Sequence, residues 1–291
     1  MKNKLCILLF VSALIIIATA GCAKKSTEPV VIHGSTTIEP VLVTLADAFK
    51  QSHGISFQIE ANGSQKGIQD LIDGKCQIAD SSYRITSKQR QAAEKEGVRI
   101  REFHLAYDII VPIVHPANPT SSITMEQLRG IYTGRISTWK HSGWNDVPIR
   151  VVSRDENSGT FHEWKKKVLR GGATPSQSMI IRSSNSSVLA YVAENRQSIG
   201  YISNAFVNNE VKPLAVNGVK PGTSNEKDTR YPIRRRLYVY VDTNNLSVNT
   251  KKFLLYILSG QGQKIIKEEG FITAGSQYKD ENKIKMLLSG E

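Results

Sequence analysis

SRDENSGTFHEW, residues 153–164, follows an alternating apolar run (Val147, Ile149, Val151) and leads into the apolar spacing of a helix. Strand, polar turn and helix start, in that order, make an α/β unit with its turn at the carboxyl end of the strand. The first helical turn carries backbone N–H groups without intrahelical partners and the positive end of the dipole, so Ser158-Gly159-Thr160 can hold an anion. Arg154 adds a cationic fork. Taken alone, the stretch reads more simply as an N-cap, with Ser158 or Asn157 accepting from the helix and Arg154 in solvent. The rest of the chain decides between the two.

The same design recurs upstream. Val30-Val31-Ile32 runs as a strand into His33-Gly34-Ser35-Thr36-Thr37, and Pro40 opens a helix whose apolar positions are Val41, Leu42, Leu45 and Phe49, with Gly54 as its stop. Ile55, Phe57, Ile59 and Ala61 alternate as the next strand, and Asn62-Gly63-Ser64 leads into a helix over 65–73 with Ile68, Leu71 and Ile72 on one face. Cys76-Gln77-Ile78-Ala79 delivers a further polar cluster, Asp80-Ser81-Ser82-Tyr83-Arg84. Residues 87–97 read as a polar surface helix.

Strand-rich apolar runs follow over 98–106 and 109–114, and a domain crossing is expected near Ala106. A helix over 123–133, a loop holding Trp139 and Trp144 as core or lid aromatics, a strand over 179–182, a helix over 187–194 and a strand over 199–203 come next. A Gly-, Pro- and Asn-containing stretch at 216–225 marks the expected return crossing. Strand at 231–233 and 237–241 and helices over 251–258 and 262–269 complete an α/β pattern with parallel strands.

Lys2 and Lys4 precede an apolar run over 5–17 that is shorter than the ~20 residues a span requires, and small residues close it ahead of Cys22. That is an export leader, residues 1–21. Small residues directly before Cys22 match a bacterial lipobox, which makes Cys22 the lipidated first mature residue and 22–29 a tether; a plain secretory cut near Ala20 is the alternative. Cys76 is then the one free thiol and reads as a small core residue. Removing Lys2 and Lys4 lowers the formal charge from +12 to +10. The basic residues are spread, with short clusters at 165–167 and 234–236 and no basic run interleaved with aromatics, which argues against nucleic acid; an anionic membrane surface and the capture of small anions stay open, and most of the charge reads as solvated surface.

Four hydroxyl-rich strand ends, around Thr36, Ser64, Ser82 and Ser158, with Arg154 as a charged partner, suit a small tetrahedral oxyanion. An enzyme with Ser158 as nucleophile and His162 as base is disfavoured, since no G-x-S-x-G elbow surrounds Ser158 and nothing in the sequence orients His162. His33, His104, His115 and His141 lack metal-ligand spacing, and neither metal nor cofactor is expected.

GSTTIEP (34–40), NGSQKGI (62–68), IADSSYR (78–84), RDENSGT (154–160), IGYIS (199–203) and YPIRRRLYVYV (231–241) resemble, in this order, the phosphate-binding proteins of bacterial ABC uptake systems. The resemblance runs from Val30 to Gly275. It implies a two-lobed periplasmic-binding-protein fold closing over a cleft, with one lobe from 30–105 and 220–291 and the other from 106–219. It also implies a monomer that captures inorganic phosphate for ABC permease subunits, held outside the cytoplasmic membrane by its lipid. The implied ligand contacts are Thr36, Thr37, Ser64, Ser82, Arg154, Ser158, Gly159 and Thr160, with Glu156 holding Arg154. Asn157 stands where the family usually has Gly, and Tyr83 where many members have Arg. Ser82 occupies a position where some members have an Asp that accepts the proton of phosphate and rejects sulfate. Another oxyanion, or a sensor or adhesin using the same fold, therefore stays open.

Overall fold

In a computed structural model the described residues are 28–171, 178–222 and 229–274; the expected leader, Cys22, most of the tether and the tail from Lys279 lie outside them. The first strand–helix alternation forms β1 (Val30–Gly34), α1 (Glu39–His53), β2 (Phe57–Glu60), α2 (Ser64–Ile72), β3 (Ile78–Ser81) and α3 (Ser87–Lys95). Pro40 sits in the first turn of α1, where a missing N–H costs nothing, and Gly54 ends that helix at a left-handed φ of 67°. α3 starts from a capping box: Gln89 N donates to Thr86 Oγ1 at 3.2 Å and Thr86 N donates to Gln89 Oε1 at 3.0 Å.

β4 (Ile100–Val114) is one 15-residue strand, where the hydropathy suggested two runs broken at Tyr107-Asp108. The polar interruption is internal because Asp108, 2% exposed, has a buried partner further along the chain. Beyond it lie β5 (Ser122–Ile123), α4 (Met125–Tyr132), β6 (Arg150–Arg154), α5 (Gly159–Trp164), β7 (Ile180–Arg182), α6 (Asn185–Glu194), β8 (Ser198–Ser203), β9 (Lys212–Pro213) and β10 (Ala215–Val216). The chain returns through β11 (Arg234–Asp242) and ends, within the described residues, with α7 (Val248–Leu258), α8 (Gly260–Glu268) and β12 (Ile272–Thr273).

The strand order is β2-β1-β3-β11-β4-β8-β6-β7. β1 is parallel to β2 and β3, and β6 is parallel to β7 and β8, as the alternation predicts. Between these groups β11 and β4 run antiparallel to each other and to their outer neighbours β3 and β8. Each parallel group has its own core. Ile32, Leu42, Phe49, Leu237 and Phe253 belong to one, and Ile110, Trp139, Trp164, Tyr201 and Ile233 to the other. The outward crossing runs within β4, since Ala106 packs in the first core and Ile109 in the second. Tyr231 and Ile233 pack in the second core and Leu237 in the first, so the return crossing runs through 234–236, later than the 216–225 stretch that composition suggested. The carboxyl ends of β1, β3 and β6 converge where the two groups meet, which is where α/β sheets place ligands. No helix among the described residues is long and apolar enough to cross a membrane.

Candidate functional site

One wall is built on the ends of β1, β2 and β3. A Cβ at Gly34 would lie 2.1 Å from the Asp80 carbonyl oxygen, so only glycine lets the two strand ends approach. The turn is then held from below, Ser35 N donating to Asp80 Oδ1 at 2.9 Å. Asp80 is wholly buried, and burial pushes its carboxyl well above the usual carboxylate range. Ser35 Oγ accepts from Thr37 N at 3.1 Å and lies 2.5 Å from Ser82 Oγ, while Ser82 N donates to Ser64 Oγ at 3.0 Å. Ser35, Ser64 and Ser82 are thus linked, through two hydroxyls and the Ser82 backbone N–H, in one buried network that joins three strand ends.

The opposite wall is β6 and α5. Ser158 Oγ caps α5 by accepting from Phe161 N at 3.2 Å, and α5 continues into a wider π-type turn over Lys165–Leu169. Arg154 is 2% exposed. Its Nε donates to the Arg182 carbonyl at 3.0 Å, and its Nη2 donates to the Ser183 carbonyl at 2.6 Å and to Thr36 Oγ1 at 3.0 Å. Nη1 is buried with no partner among the described residues. Glu156 does not hold this guanidinium, contrary to expectation: it is exposed, and two backbone carbonyls do the holding. Arg154 is therefore a buried cation with no carboxylate at ion-pair distance among the described residues, and burial lowers its pKa. A group so placed favours an incoming anion.

Sequence reasoning missed the residues behind Thr37 and Thr160. Arg235, 3% exposed, donates Nη1 to Thr160 Oγ1 at 2.9 Å and Nη2 to Thr37 Oγ1 at 3.4 Å, and its Nε and Nη2 reach Asp108 Oδ2 at 2.8 and 2.7 Å. Ser203 Oγ donates to Asp108 Oδ1 at 2.8 Å. Asn185 Nδ2 donates to Thr37 Oγ1 at 3.0 Å, and Thr37 Oγ1 lies 3.1 Å from Thr160 Oγ1. With Asn185 and Arg235 occupying the Thr37 lone pairs, the Thr37 hydroxyl donates to Thr160. Thr160 then accepts twice and has its own proton for a ligand. A signal was available: Asp108 interrupts an apolar run, and alternation in a strand puts Arg235 on the opposite face from Arg234 and Arg236.

The structure brings all eight expected ligand residues to this junction, and the two walls touch. Gln65 N donates to the Asn157 carbonyl at 3.1 Å, and Tyr83 stacks on His162 with centroids 4.1 Å apart. Asn157 also packs where a Cβ on Gly63 would come within 2.8 Å of its own. A Cβ at Gly159 would fall 2.4 Å from Ser64 Oγ and 2.8 Å from Ser82 Cβ, both on the facing wall. Gly159→Ala is accordingly expected to hold the walls apart and weaken anion binding by about 1–3 kcal/mol, roughly 5- to 150-fold by titration calorimetry. Unaltered affinity would show that the walls need not meet.

Ser158 and His162 form no nucleophile–base pair: the serine caps the helix, and His162, its pKa lowered by burial, stacks on Tyr83. Cys76 is buried, and its thiol is pushed up to about 12 by desolvation, which fits a packing role. No group of three or more potential metal ligands occurs among the described residues.

Two α/β halves joined by crossing strands, with a donor-rich junction and an uncompensated buried cation, define a solute-binding protein for a small anion. The family model for the PBP superfamily domain matches residues 19–261. The phosphate-binding protein PstS of Bacillus subtilis is 30% identical over 292 residues, covering 93% of this chain and 94% of its own. That of Borreliella burgdorferi is 29% identical, over 87% of this chain and 92% of its own. Among solved structures, a Clostridium perfringens ABC transporter substrate-binding protein with bound phosphate superposes at TM-score 0.79 with 33% identity, over 85% of this chain and 100% of its own. An ABC-type phosphate transport receptor from Vibrio cholerae superposes at 0.69 with 29% identity, over 84% of this chain and 100% of its own. The chain belongs to the PBP superfamily, alongside the proteins called phosphate-binding protein PstS.

Proposed function

We propose that this protein captures inorganic phosphate outside the cytoplasmic membrane, tethered through a lipid on Cys22, and delivers it as a monomer to ABC permease subunits without chemistry of its own. Thr36, Thr37, Ser64, Ser82, Arg154, Ser158, Gly159 and Thr160 contact the anion. Among the described residues, 30–105 with 237–274 form one lobe, and those that pack between the two crossings form the other. The observation that carries the reading is Arg154 Nη1, a buried donor without a partner among the described residues, on a cation whose other bonds go to neutral oxygens. An anion satisfies both the donor and the charge.

Relatives and structures named for phosphate at 29–33% identity support the choice of anion. Ser82 takes over the acceptor role that a carboxylate fills in some members. When its hydroxyl donates to Ser35 Oγ, 2.5 Å away, its lone pairs face the ligand and accept the proton of hydrogen phosphate, which sulfate lacks. The test is calorimetric titration of protein stripped of ligand by unfolding and refolding, with phosphate, arsenate, sulfate and molybdate. Phosphate and arsenate should bind and sulfate fail, with Ser82→Ala narrowing that preference. Equal binding of sulfate would replace phosphate by a general oxyanion, and no binding by any of the four would favour a sensor or adhesin.

A further inference from the structure

The two walls also meet in a contact that the anion itself does not make. Tyr83, on the turn after β3, and His162, on α5, stack with ring centres 4.1 Å apart and planes 25° apart, and among the described residues theirs is the only ring pair joining these two walls. Each ring is fixed to its own wall. Tyr83 is 3% exposed; its hydroxyl accepts from Gln89 Nε2 at 2.8 Å, and its carbonyl accepts from Ser81 Oγ at 2.8 Å. His162 N donates to the Ser158 carbonyl at 3.0 Å, so the imidazole is carried by the same helical turn that presents Ser158, Gly159 and Thr160. A shift of α5 away from β3 therefore breaks the stack and opens the anion site together.

The stack discriminates between the two forms of the imidazole. His162 Nδ1 is buried with no partner among the described residues. The neutral ring can leave that nitrogen a bare acceptor; protonation makes it a donor with nothing to receive it, on a ring that is then charged and partly buried. Burial accordingly lowers the pKa of His162; Glu163 opposes the shift, and Lys166 and Lys165 reinforce it. The facing wall presents a neutral phenol, since burial pushes the Tyr83 hydroxyl upward, and Arg84, next along that turn, is paired with Glu102 at 3.0 Å. On the proposed reading of the site as one that captures phosphate, we infer that the Tyr83–His162 stack is a clasp between the walls, holding them together over the anion while the imidazole is neutral and loosening when it is protonated, so that acid speeds release.

A group whose pKa is lower when the walls meet contributes to closure fully above its ordinary value of 6.5 and loses that contribution as pH falls below it. The test is calorimetric titration and stopped-flow release of phosphate on the whole protein, at about pH 7.5 and about pH 5.5, either side of that value. At the higher pH His162→Ala is expected to release phosphate about two- to tenfold faster, the worth of one aromatic pair, with the association rate changed less. His162→Phe, which keeps a ring on Tyr83, should restore slow release. Tyr83→Ala should speed release less in the His162→Ala background than in the parent, as for two partners in one contact. On going to the lower pH the parent should lose several-fold more affinity than His162→Phe, about tenfold at most for a group whose ordinary pKa lies one unit above it. The ionisation of phosphate itself is common to both proteins and cancels in that comparison. Release from His162→Ala at the parental rate, or an acid loss in His162→Phe as large as the parent's or larger, overturns the clasp while leaving phosphate capture intact. Absence of phosphate binding by the parent at the higher pH removes phosphate capture and the clasp with it, so the two failures are distinguishable.

Discussion

Arg154→Met is expected to weaken phosphate binding by about 2–5 kcal/mol, roughly 30- to 5000-fold, without lowering the melting temperature of the ligand-free protein. The two outcomes have one cause. Where the two walls meet, the guanidinium is 2% exposed and its partners among the described residues are neutral: the carbonyls of Arg182 and Ser183 and the hydroxyl of Thr36. Its desolvation is then incompletely offset, and a methionine of similar length removes that cost while filling the space. In the bound state the same charge acts at close range in a site from which water is excluded, where its attraction for an anion is strongest. Calorimetric titration measures the first effect and thermal melting of stripped protein the second. Parental affinity would remove Arg154 from the site. A melting temperature lowered by several degrees would show that the arginine is chiefly a structural strut for residues 182–183.

How much of this was legible in the sequence follows from the range of each interaction. Turns at strand ends are local, so GSTT, NGS, DSS and RDENSGT announced themselves through alternation before and helical spacing after. The convergence of those turns rests on the sheet order, which the resemblance supplied and which β1, β3 and β6 realise. The hold on Arg154 was not legible, because backbone carbonyls have no residue signature; a carboxylate two positions on was the visible substitute, and Glu156 turned out exposed. Ser35 was hidden among neighbouring hydroxyls, although it is the member of GSTT that ties Asp80, Thr37 and Ser82 together. Asp108 and Arg235 are 127 residues apart, and they meet only because β4 and β11 run antiparallel at the crossing. That pairing broke the expected all-parallel pattern and placed a charge inside what read as two apolar runs.

The same pair carries the largest expected effect on stability. In Asp108→Asn the carboxylate that receives Arg235 at 2.7 and 2.8 Å loses its charge, while the Arg235 side chain stays fully enclosed at 0% exposure. An uncompensated charge at such a site costs about 3–5 kcal/mol. For a chain of this size that lowers the melting temperature by about 6–20 °C, to be measured on stripped protein by circular dichroism. Replacing both partners, as Asp108→Leu/Arg235→Met, removes the buried charges together and should recover most of that loss, because an apolar pair of similar volume is commonly as stable as the ion pair it replaces. Binding should not recover with it. Arg235 donates to Thr160 and Thr37, and without it the hydroxyl relay no longer forces the Thr160 proton toward the ligand. The double variant is therefore expected to be folded and stable yet weaker for phosphate by about 1–3 kcal/mol, the scale of one lost charge-assisted hydrogen bond. If stability and affinity both return, the pair serves only to fasten the crossing strands. If stability returns and affinity does not, the ion pair also sets the direction of a proton in the site.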